Sequence, residues 1–320
     1  MTKKDGILAN ALISGATGKI GSLFIKKYGA RFNKIYRVLG PKHQLLEDDI
    51  EYDLASNFLP NLPDDIDVFF HFAAETSIET SKKNPLLNQK INCSSFVKIL
   101  DVLSKKLTQP YIVLASTATQ VGFTNSSFPI SESHPDFPLT IYDINKLSAE
   151  HFLLNYVNNG LISGCSLRLT NVFGSNSCGY SINRGILDNV FSRAMLGDTI
   201  TIFGDGKLLR DYIYISDVVD AFFIAWEKQT VTNGKKFLVG RGEGISLAGA
   251  FKTAIDVATS ISGKVSPIIY EEFPNNFEKI NKRSFIADNR LFKNTTGWTS
   301  KYNVSEGLLD AYEHLQGFKK

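Results

Sequence analysis

Three glycines between an apolar segment and an amphipathic segment constrain this chain most. Gly15, Gly18 and Gly21 have GxxGxxG spacing and directly follow the apolar residues 11–14. The pattern predicts a strand at 11–14 and a helix at 20–28. The first glycine permits a tight turn, the second lets backbone amides approach a pyrophosphate, and the third lets the helix pack on the strand. The alternative is a glycine-rich turn that binds nothing.

The rest of the first half repeats the same rhythm of strand and helix. Apolar strands are predicted at 35–39, 68–72, 111–115 and 161–169, and helices at 86–103 and 141–157. Continuous apolar strands separated by helices indicate a parallel sheet that is covered on both faces. Ligands are then expected at the carboxyl ends of the strands.

After Asn171 the rhythm breaks, and the pattern favours a smaller lobe folded over the edge of the sheet. A polar loop at 175–181 precedes a predicted helix at 186–196 and a short strand at 199–203. A terminal helix is expected from about Val304. The length of 320 residues suits two packed lobes.

Composition excludes several classes of protein. With 43% hydrophobic and 21% charged residues the chain is globular, and a net charge of +3 is too small to indicate nucleic acid. The three cysteines, Cys93, Cys165 and Cys178, are widely spaced, so neither a disulfide framework nor a zinc knuckle is expected. The five histidines lack metal-ligand spacing, and no metal site is expected. Without a signal peptide or a long apolar run, we expect a cytoplasmic protein with no membrane partner.

A tyrosine and a lysine share one face of the predicted helix at 141–157. Tyr142 and Lys146 are four positions apart, which places them one turn apart. An ammonium group near a phenol favours the phenolate and so lowers the pKa of the tyrosine from its usual value near 10. The pair is therefore a candidate acid and base, although the same spacing also occurs on solvated helix faces.

These motifs together resemble one family. The glycine spacing, Ser116-Thr117 at a strand end and Tyr142-x-x-x-Lys146 are similar to those of the extended short-chain dehydrogenases/reductases, specifically the nucleotide-sugar epimerase/dehydratase branch. Further similar segments follow in family order: His71 to Ala74, Asn84-Pro85, Asn92, Arg168 to Gly174, Gly204 to Gly206, Arg210 to Asp217, and Thr296 to Trp298.

The resemblance implies an α/β fold, a Rossmann-type doubly wound parallel sheet with a smaller C-terminal α+β substrate lobe. Residues 1–174, with a return segment at about 212–240, are expected to form the NAD(P)-binding domain. Residues 175–211 and 241–320 are expected to form the lobe that binds a nucleotide-activated sugar. Family members commonly form homodimers through two helices, which here are 86–103 and 141–157.

The resemblance also implies residue roles. Thr117, Tyr142 and Lys146 take the catalytic positions, and Asn171, Arg210 and Arg283, with Thr117, take positions for substrate. A solvated surface arginine is the alternative for Arg283, and a surface carboxylate the alternative to an adenine contact for Asp53. The residues expected to hold the cofactor, together with Tyr142 and Lys146, are Gly15, Thr17, Gly18, Lys19, Ile20, Gly21, Asp53, Leu54, Phe72, Ala73, Ala74, Asn92 and Ser116.

Two departures from the family narrow the activity. Ala118, Thr119 and Gln120 stand where dehydratases have acids, so elimination is disfavoured and Tyr142 is expected to work alone. This leaves an epimerase, most simply at C4 of a sugar used for polysaccharide precursors, or an NADPH-dependent keto-sugar reductase. A 4,6-dehydratase, a small-alcohol dehydrogenase and a non-catalytic NADP-binding regulator are the remaining alternatives.

The second departure concerns the choice between NAD and NADP. No acid follows the strand at 35–39 to bind a ribose diol. Arg37, Lys42 and His43 lie nearby, and Lys19 lies in the glycine turn, so these charges can accommodate a 2′-phosphate. The sequence therefore leans towards NADP.

Overall fold

A computed structural model describes residues 9–122, 128–174, 185–274 and 282–316. The strands are β1 Ala9–Ser14, β2 Phe32–Leu39, β3 Ile50–Glu51, β4 Val68–His71, β5 Tyr111–Thr117, β6 Ser163–Leu169, β7 Asn171–Phe173, β8 Ile200–Phe203, β9 Leu209–Arg210, β10 Tyr212–Tyr214, β11 Lys236–Val239, β12 Ile245–Ser246 and β13 Ile268–Glu271. The helices are α1 Lys19–Tyr28, α2 Ile78–Lys83, α3 Pro85–Gln89, α4 Ser95–Ser104, α5 Ile141–Asn158, α6 Ile186–Leu196, α7 Ile215–Glu227, α8 Gln229–Thr232, α9 Leu247–Ser262, α10 Arg290–Thr296 and α11 Val304–Gln316.

Within the described residues, the main sheet has seven strands in the order β11-β6-β5-β4-β1-β2-β3. Every neighbouring pair is parallel. The strand order reverses between β1 and β4, which is where a doubly wound sheet opens a crevice at its carboxyl edge. The predicted Rossmann-type fold is confirmed.

Helices cover both faces of this sheet, as continuous apolar strands require. On one face Phe24 of α1 and Trp226 of α7 pack against the strands. On the other face Phe96 of α4 and Leu153 of α5 do the same. A separate apolar cluster joins α6, α9, α11, β8 and β10, and Phe251 of α9 lies within it. The sequence had indicated only short helices and loops over much of this second part.

The strand register brings distant segments to one edge. Ser14 pairs with His71, and His71 pairs with Leu114 of β5. Thr117, the last residue of β5, pairs with Leu169 of β6. The glycine turn after β1, the segment after β4 and Thr117 therefore all lie at the carboxyl edge of the sheet.

The cysteines and the helix lengths give two further findings. Cys93 and Cys165 are buried free thiols. The predicted polar loop at 175–181, with Cys178, lies outside the described residues. No helix in the described part of the chain is long and apolar enough to cross a bilayer.

A buried ion pair joins α5 to β6. The side chains of Arg168 and Glu150 are each only 1% exposed. The Glu150 carboxylate also accepts a hydrogen bond from Ser166 Oγ at 2.6 Å, and Arg168 Nη1 donates to Asp136 Oδ1 at 2.7 Å. Because every charge in this cluster is paired, the pair can be buried without leaving an uncompensated ion.

Replacing Arg168 with methionine is expected to destabilise the protein by about 3–5 kcal/mol, because Glu150 remains as a buried, unpaired carboxylate. The double variant Arg168→Met/Glu150→Met should recover most of that loss, since no buried carboxylate is stranded between α5 and β6. Urea unfolding of both variants and the wild type measures this difference. A double variant no more stable than the single one contradicts the explanation.

Candidate active site

The glycine turn is held tightly against the end of β4. Gly15 has a φ of +69°, and a Cβ on it would lie 2.7 Å from the backbone nitrogen of Ala73. Gly18 N donates to the carbonyl of Gly15 at 2.9 Å, and α1 begins at the next residue. The first turn of α1 has neither an acidic residue nor a capping side chain. Its open amides and positive dipole therefore suit the pyrophosphate of a dinucleotide.

The segment after β4 lies beside this turn. Phe72 N donates to the carbonyl of Ser14 at 3.1 Å, and Ser14 Oγ lies 2.7 Å from His71 Nδ1. Burial and the charge of Lys146 hold the pKa of His71 well below its usual value, so this histidine is neutral. Asn92 lies in a π-helical segment between α3 and α4. Its Oδ1 accepts from the amide of Glu75 at 3.0 Å, and its Nδ2 donates to the carbonyl of Glu75 at 2.9 Å.

Lys146 is a buried ammonium on α5. Its side chain is almost inaccessible, and burial lowers its pKa to about 8 despite the opposing effects of Glu150 and Cys93. Asn145, its neighbour, donates from Nδ2 to Asn88 Oδ1 of α3 at 2.9 Å. This contact and the Glu150 ion pair fix the part of α5 that carries Lys146.

Tyr142 lies one turn before Lys146 and is half-buried. Burial raises the pKa of its phenol, and the neighbouring Asp143 carboxylate raises it further. Both effects oppose formation of the phenolate. The expected lowering of this pKa by Lys146 stays a prediction.

A carboxylate also lies close to Thr117, which the sequence did not predict. Thr117 Oγ1 lies 2.8 Å from Thr119 Oγ1, and Thr119 Oγ1 in turn hydrogen-bonds to Asp143 Oδ1. Asp143 is 1% exposed, and its second oxygen accepts from Thr140 Oγ1 at 2.8 Å. The expectation that no acid stands beside Thr117 is correct for neighbours in sequence and wrong in space.

Ser116 does not share this chain of hydroxyls. Its Oγ accepts a hydrogen bond from Gln120 Nε2 at 2.7 Å, and both residues are buried. The Gln120 side chain therefore holds the strand end from within rather than pointing to solvent.

Two arginines approach the loop after Thr117. Arg283 is buried, and its Nη1 lies 3.3 Å from the carbonyl of Thr119 and 3.4 Å from that of Gly122. Burial lowers the pKa of Arg283 to about 10, Asp143 raises it, and Arg210 lowers it further. Arg210 Nη1 hydrogen-bonds to the carbonyl of Arg283. The alternative of a solvated Arg283 is wrong.

Strand pairing joins Asn171 to the segment that follows Arg210. Asn171 on β7 pairs with Tyr212 on β10, and its Nδ2 donates to the carbonyl of Asp211 at 3.0 Å. The buried Asp211 carboxylate, whose pKa is raised by burial to about 6, accepts from the backbone amides of Ala287, Arg241 and Gly242. Asp211 thus ties the segment that follows Arg283 to β10.

Comparison with known proteins decides the family. Residues 11–240 match the model of the NAD dependent epimerase/dehydratase family. The chain belongs to this family. A UDP-glucose 4-epimerase of Mycolicibacterium smegmatis is 27% identical over 95% of this chain and 98% of its own length.

Solved structures of family members share the fold. The Thermotoga maritima UDP-glucose 4-epimerase, with UDP-glucose, superimposes with a TM-score of 0.81 at 24% identity, covering 97% of this chain and all of that one. A UDP-glucuronic acid 4-epimerase of Bacillus cereus, with UDP-glucuronic acid and NAD, gives 0.78 at 23% identity over 96% and 99%.

For this member of the epimerase/dehydratase family, two of the four basic residues that suggested NADP are paired with carboxylates. Arg37 donates to both oxygens of Asp49, at 2.6 and 2.5 Å, and Lys19 forms an ion pair with Asp188 of α6. Lys42 and His43 are exposed. Two of the four basic residues that favoured NADP are therefore already neutralised within the protein.

The remaining predicted cofactor positions lie around the turn and after β3. Thr17 is exposed at the tip of the turn, and Ile20 is half-buried against the core. Asp53 is also exposed, and its Oδ1 accepts from the amide of Ala55 at 2.9 Å, which closes a turn. Leu54 packs against the apolar cluster on one face of the sheet. Nothing in these contacts tests the adenine role of Asp53, which stays a prediction.

The buried charge of Lys146 is expected to make stability depend on pH. Its pKa is about 8 in the folded protein and about 10.4 in an unfolded chain. Between these values the unfolded state binds more protons, so the free energy of unfolding should rise with pH, by up to about 3 kcal/mol. Lys146→Met should flatten this rise. Urea unfolding at pH 7.5 and 9.5 measures it, and equal slopes in both proteins contradict a depressed lysine pKa.

Proposed function

We propose that this protein is an NAD-dependent nucleotide-sugar epimerase that inverts C4 of a UDP-sugar. The observation that carries the proposal is the meeting of the glycine turn, Thr117 and the Tyr142-Lys146 helix at one edge of the sheet. Membership of the epimerase/dehydratase family supports it. So does the activity named for the Mycolicibacterium smegmatis relative.

The cofactor would lie across the carboxyl edge. The amides at the start of α1 suit its pyrophosphate, and Lys146 would donate to the ribose next to the nicotinamide. Asp53 and Leu54 follow β3, where the adenine would lie, and the middle of the cofactor would contact Phe72, Ala73, Ala74, Asn92 and Ser116. A bound cofactor would supply the hydride acceptor for one sugar carbon and the hydride donor for its opposite face.

Tyr142 would remove the proton from the sugar hydroxyl and later return it. Its pKa is raised by burial and Asp143, so the phenolate needs positive charge nearby. Lys146 supplies one such charge, because a pKa of about 8 leaves it protonated at neutral pH. The oxidised nicotinamide ring would supply another. We therefore expect Tyr142 to act as a base only when the cofactor is bound.

Arg210, Arg283 and Asn171 would hold the sugar nucleotide. A guanidinium group matches the geometry of phosphate oxygens, and a buried one is desolvated in advance. Because the Thermotoga maritima structure contains UDP-glucose, a UDP-hexose is the first substrate to test. We propose the lobe formed by 175–211 and 241–320 as the sugar-nucleotide side and 1–174, with 212–240, as the cofactor side.

Neither the dehydratase nor the NADP alternative gains support from the contacts. Both oxygens of Asp143 accept hydroxyl hydrogens from threonines, so this acid is not free to remove a proton from a neighbouring sugar carbon. Arg37 and Lys19 are already neutralised by carboxylates. NAD, present in the Bacillus cereus structure, is therefore the proposed cofactor.

We also propose a homodimer through the helices that carry the site. Leu86 on α3, Ile144 on α5 and Phe152 on α5 are 75%, 48% and 43% exposed, and α3 contacts α5. Burial of these residues between two copies would remove this apolar area from water. A monomer in sedimentation at micromolar concentration would rule the dimer out.

The decisive assay incubates the purified protein with UDP-glucose and UDP-galactose while isomer formation and nicotinamide absorbance are followed. We expect isomerisation with no net change in free reduced cofactor. Tyr142→Phe should lose at least roughly 100-fold in turnover while it still binds NAD. Tyr156→Phe, on the same helix, is the matched control and should remain active.

Other outcomes of this assay are informative. Stoichiometric loss of NADPH with a keto sugar identifies a reductase instead. Unchanged turnover in Tyr142→Phe removes this residue from the mechanism. If no UDP-sugar is isomerised, the panel is extended to GDP-, CDP- and dTDP-sugars, and inactivity across all of them refutes the epimerase proposal.

A further inference from the structure

We propose that Asp143 is a positioning residue for Thr117 and Tyr142. Acting through Thr119, it fixes the direction of the Thr117 hydroxyl, and it also places a negative charge beside Tyr142. The inference rests on the proposed function. It follows from the hydrogen bonds that join Thr117, Thr119 and Asp143.

The direction of the Thr117 hydroxyl follows from the number of hydrogens that Thr117 and Thr119 can donate. A carboxylate can only accept, so the single hydroxyl hydrogen of Thr119 goes to Asp143. The 2.8 Å bond between the two threonine hydroxyls must then use the hydrogen of Thr117. Thr117 Oγ1 also accepts from the backbone amide of Thr119 at 3.2 Å. Thr117 is left with one acceptor site and no hydrogen to donate.

The carboxylate that sets this direction is itself held in place. Asp143 Oδ2 accepts from Thr140 Oγ1 at 2.8 Å, and the amide of Asp143 donates back to Thr140 Oγ1 at 3.1 Å, as the N-cap of α5. The buried guanidinium of Arg283 lies against the carbonyl of Thr119 and supplies opposite charge to Asp143. Since Asp143 is 1% exposed, solvent does not compete for these bonds.

This arrangement distinguishes the two forms of the sugar. Before oxidation the single hydrogen of a sugar hydroxyl can be donated to Thr117. During oxidation this hydrogen would pass as a proton to the Tyr142 phenolate and the carbon-bound hydride would pass to the nicotinamide, while Thr117 keeps its own proton. A keto oxygen finds no hydrogen on Thr117 and accepts a hydrogen bond from Tyr142 alone. The hydrogen bonds from Thr117 through Thr119 to Asp143 therefore favour the alcohol form of the sugar over the keto form, and they limit accumulation of the keto sugar.

Thr119→Val tests the direction of the Thr117 hydroxyl. Valine has the shape of threonine but accepts no hydrogen bond, so the Thr117 hydrogen is released and can stabilise a keto oxygen. After addition of UDP-sugar, the ratio of reduced to oxidised bound cofactor should rise roughly fivefold, the factor for one neutral hydrogen bond. Thr119→Ser keeps the hydroxyl and should match the wild type.

Thr232→Val is the control for general destabilisation. It removes a buried hydroxyl that bonds to Tyr111 Oη at the start of β5 and to the carbonyl of Ala225, so stability should fall, but the bonds between Asp143, Thr119 and Thr117 at the other end of β5 remain. Its ratio of reduced to oxidised cofactor should therefore stay at the wild-type level. A rise equal to that in Thr119→Val would mean that general destabilisation causes the effect, and would overturn the inference.

Asp143→Asn gives a readout that needs no turnover. Ultraviolet titration of each protein against its Tyr142→Phe counterpart isolates the phenol of Tyr142, which should ionise at lower pH once the neighbouring charge is removed. An unchanged titration of the Tyr142 phenol overturns the inference. So do equal cofactor ratios in Thr119→Val and Thr119→Ser when the wild type isomerises the UDP-sugar. If Tyr142 ionises at lower pH in Asp143→Asn but the protein isomerises no sugar, the role of Asp143 beside Tyr142 is supported. The proposed function alone is then refuted.

Discussion

The buried ion pair between Glu150 and Arg168 fixes the helix on which the site depends. It joins α5 to β6 in the interior, where each charge is tolerated only because the other is present. Glu150 also acts on Lys146, one turn earlier on the same helix, and opposes the loss of its proton on burial. One carboxylate therefore serves both the attachment of α5 and the charge state of the lysine. A change in this pair should alter stability and the site together.

Around this helix the site is a set of buried charges that are balanced in pairs. Lys146 faces Glu150, and Asp143 faces Arg283, so each charge survives away from water because another lies close. The free-energy cost of burying these charges lowers the pKa values of Lys146 and Arg283. A substrate or cofactor that brings further charge would enter a site whose groups are already desolvated, which makes new electrostatic contacts stronger than at a surface.

The sequence predicted five of the seven strands of the main sheet, because β1, β4 and β5 are buried apolar runs and helical patterns separate the strands. It did not predict β3 or β11, which have only two and four residues. It did not predict α7, because residues 221–226 form a continuous apolar run, which periodicity alone does not distinguish from a buried strand. The contact between Thr119 and Asp143 joins residues 24 positions apart and depends on how α5 docks against β5. Likewise, Arg37 and Lys19 suggested NADP until the fold placed Asp49 and Asp188 against them, the latter 169 positions away. The motifs in the sequence were sufficient to predict the family. The partners of the buried charges could be identified only from the tertiary structure.

We propose that one carbon of a bound UDP-sugar loses and regains the same hydride at this site. UDP-glucose deuterated at C4 tests it most directly, with the product analysed by mass spectrometry and NMR. The account predicts that the inverted sugar keeps its deuterium at C4 and that none appears in solvent or in released cofactor. Loss of the deuterium to water, or its transfer to a reduced cofactor that leaves the enzyme, would contradict it.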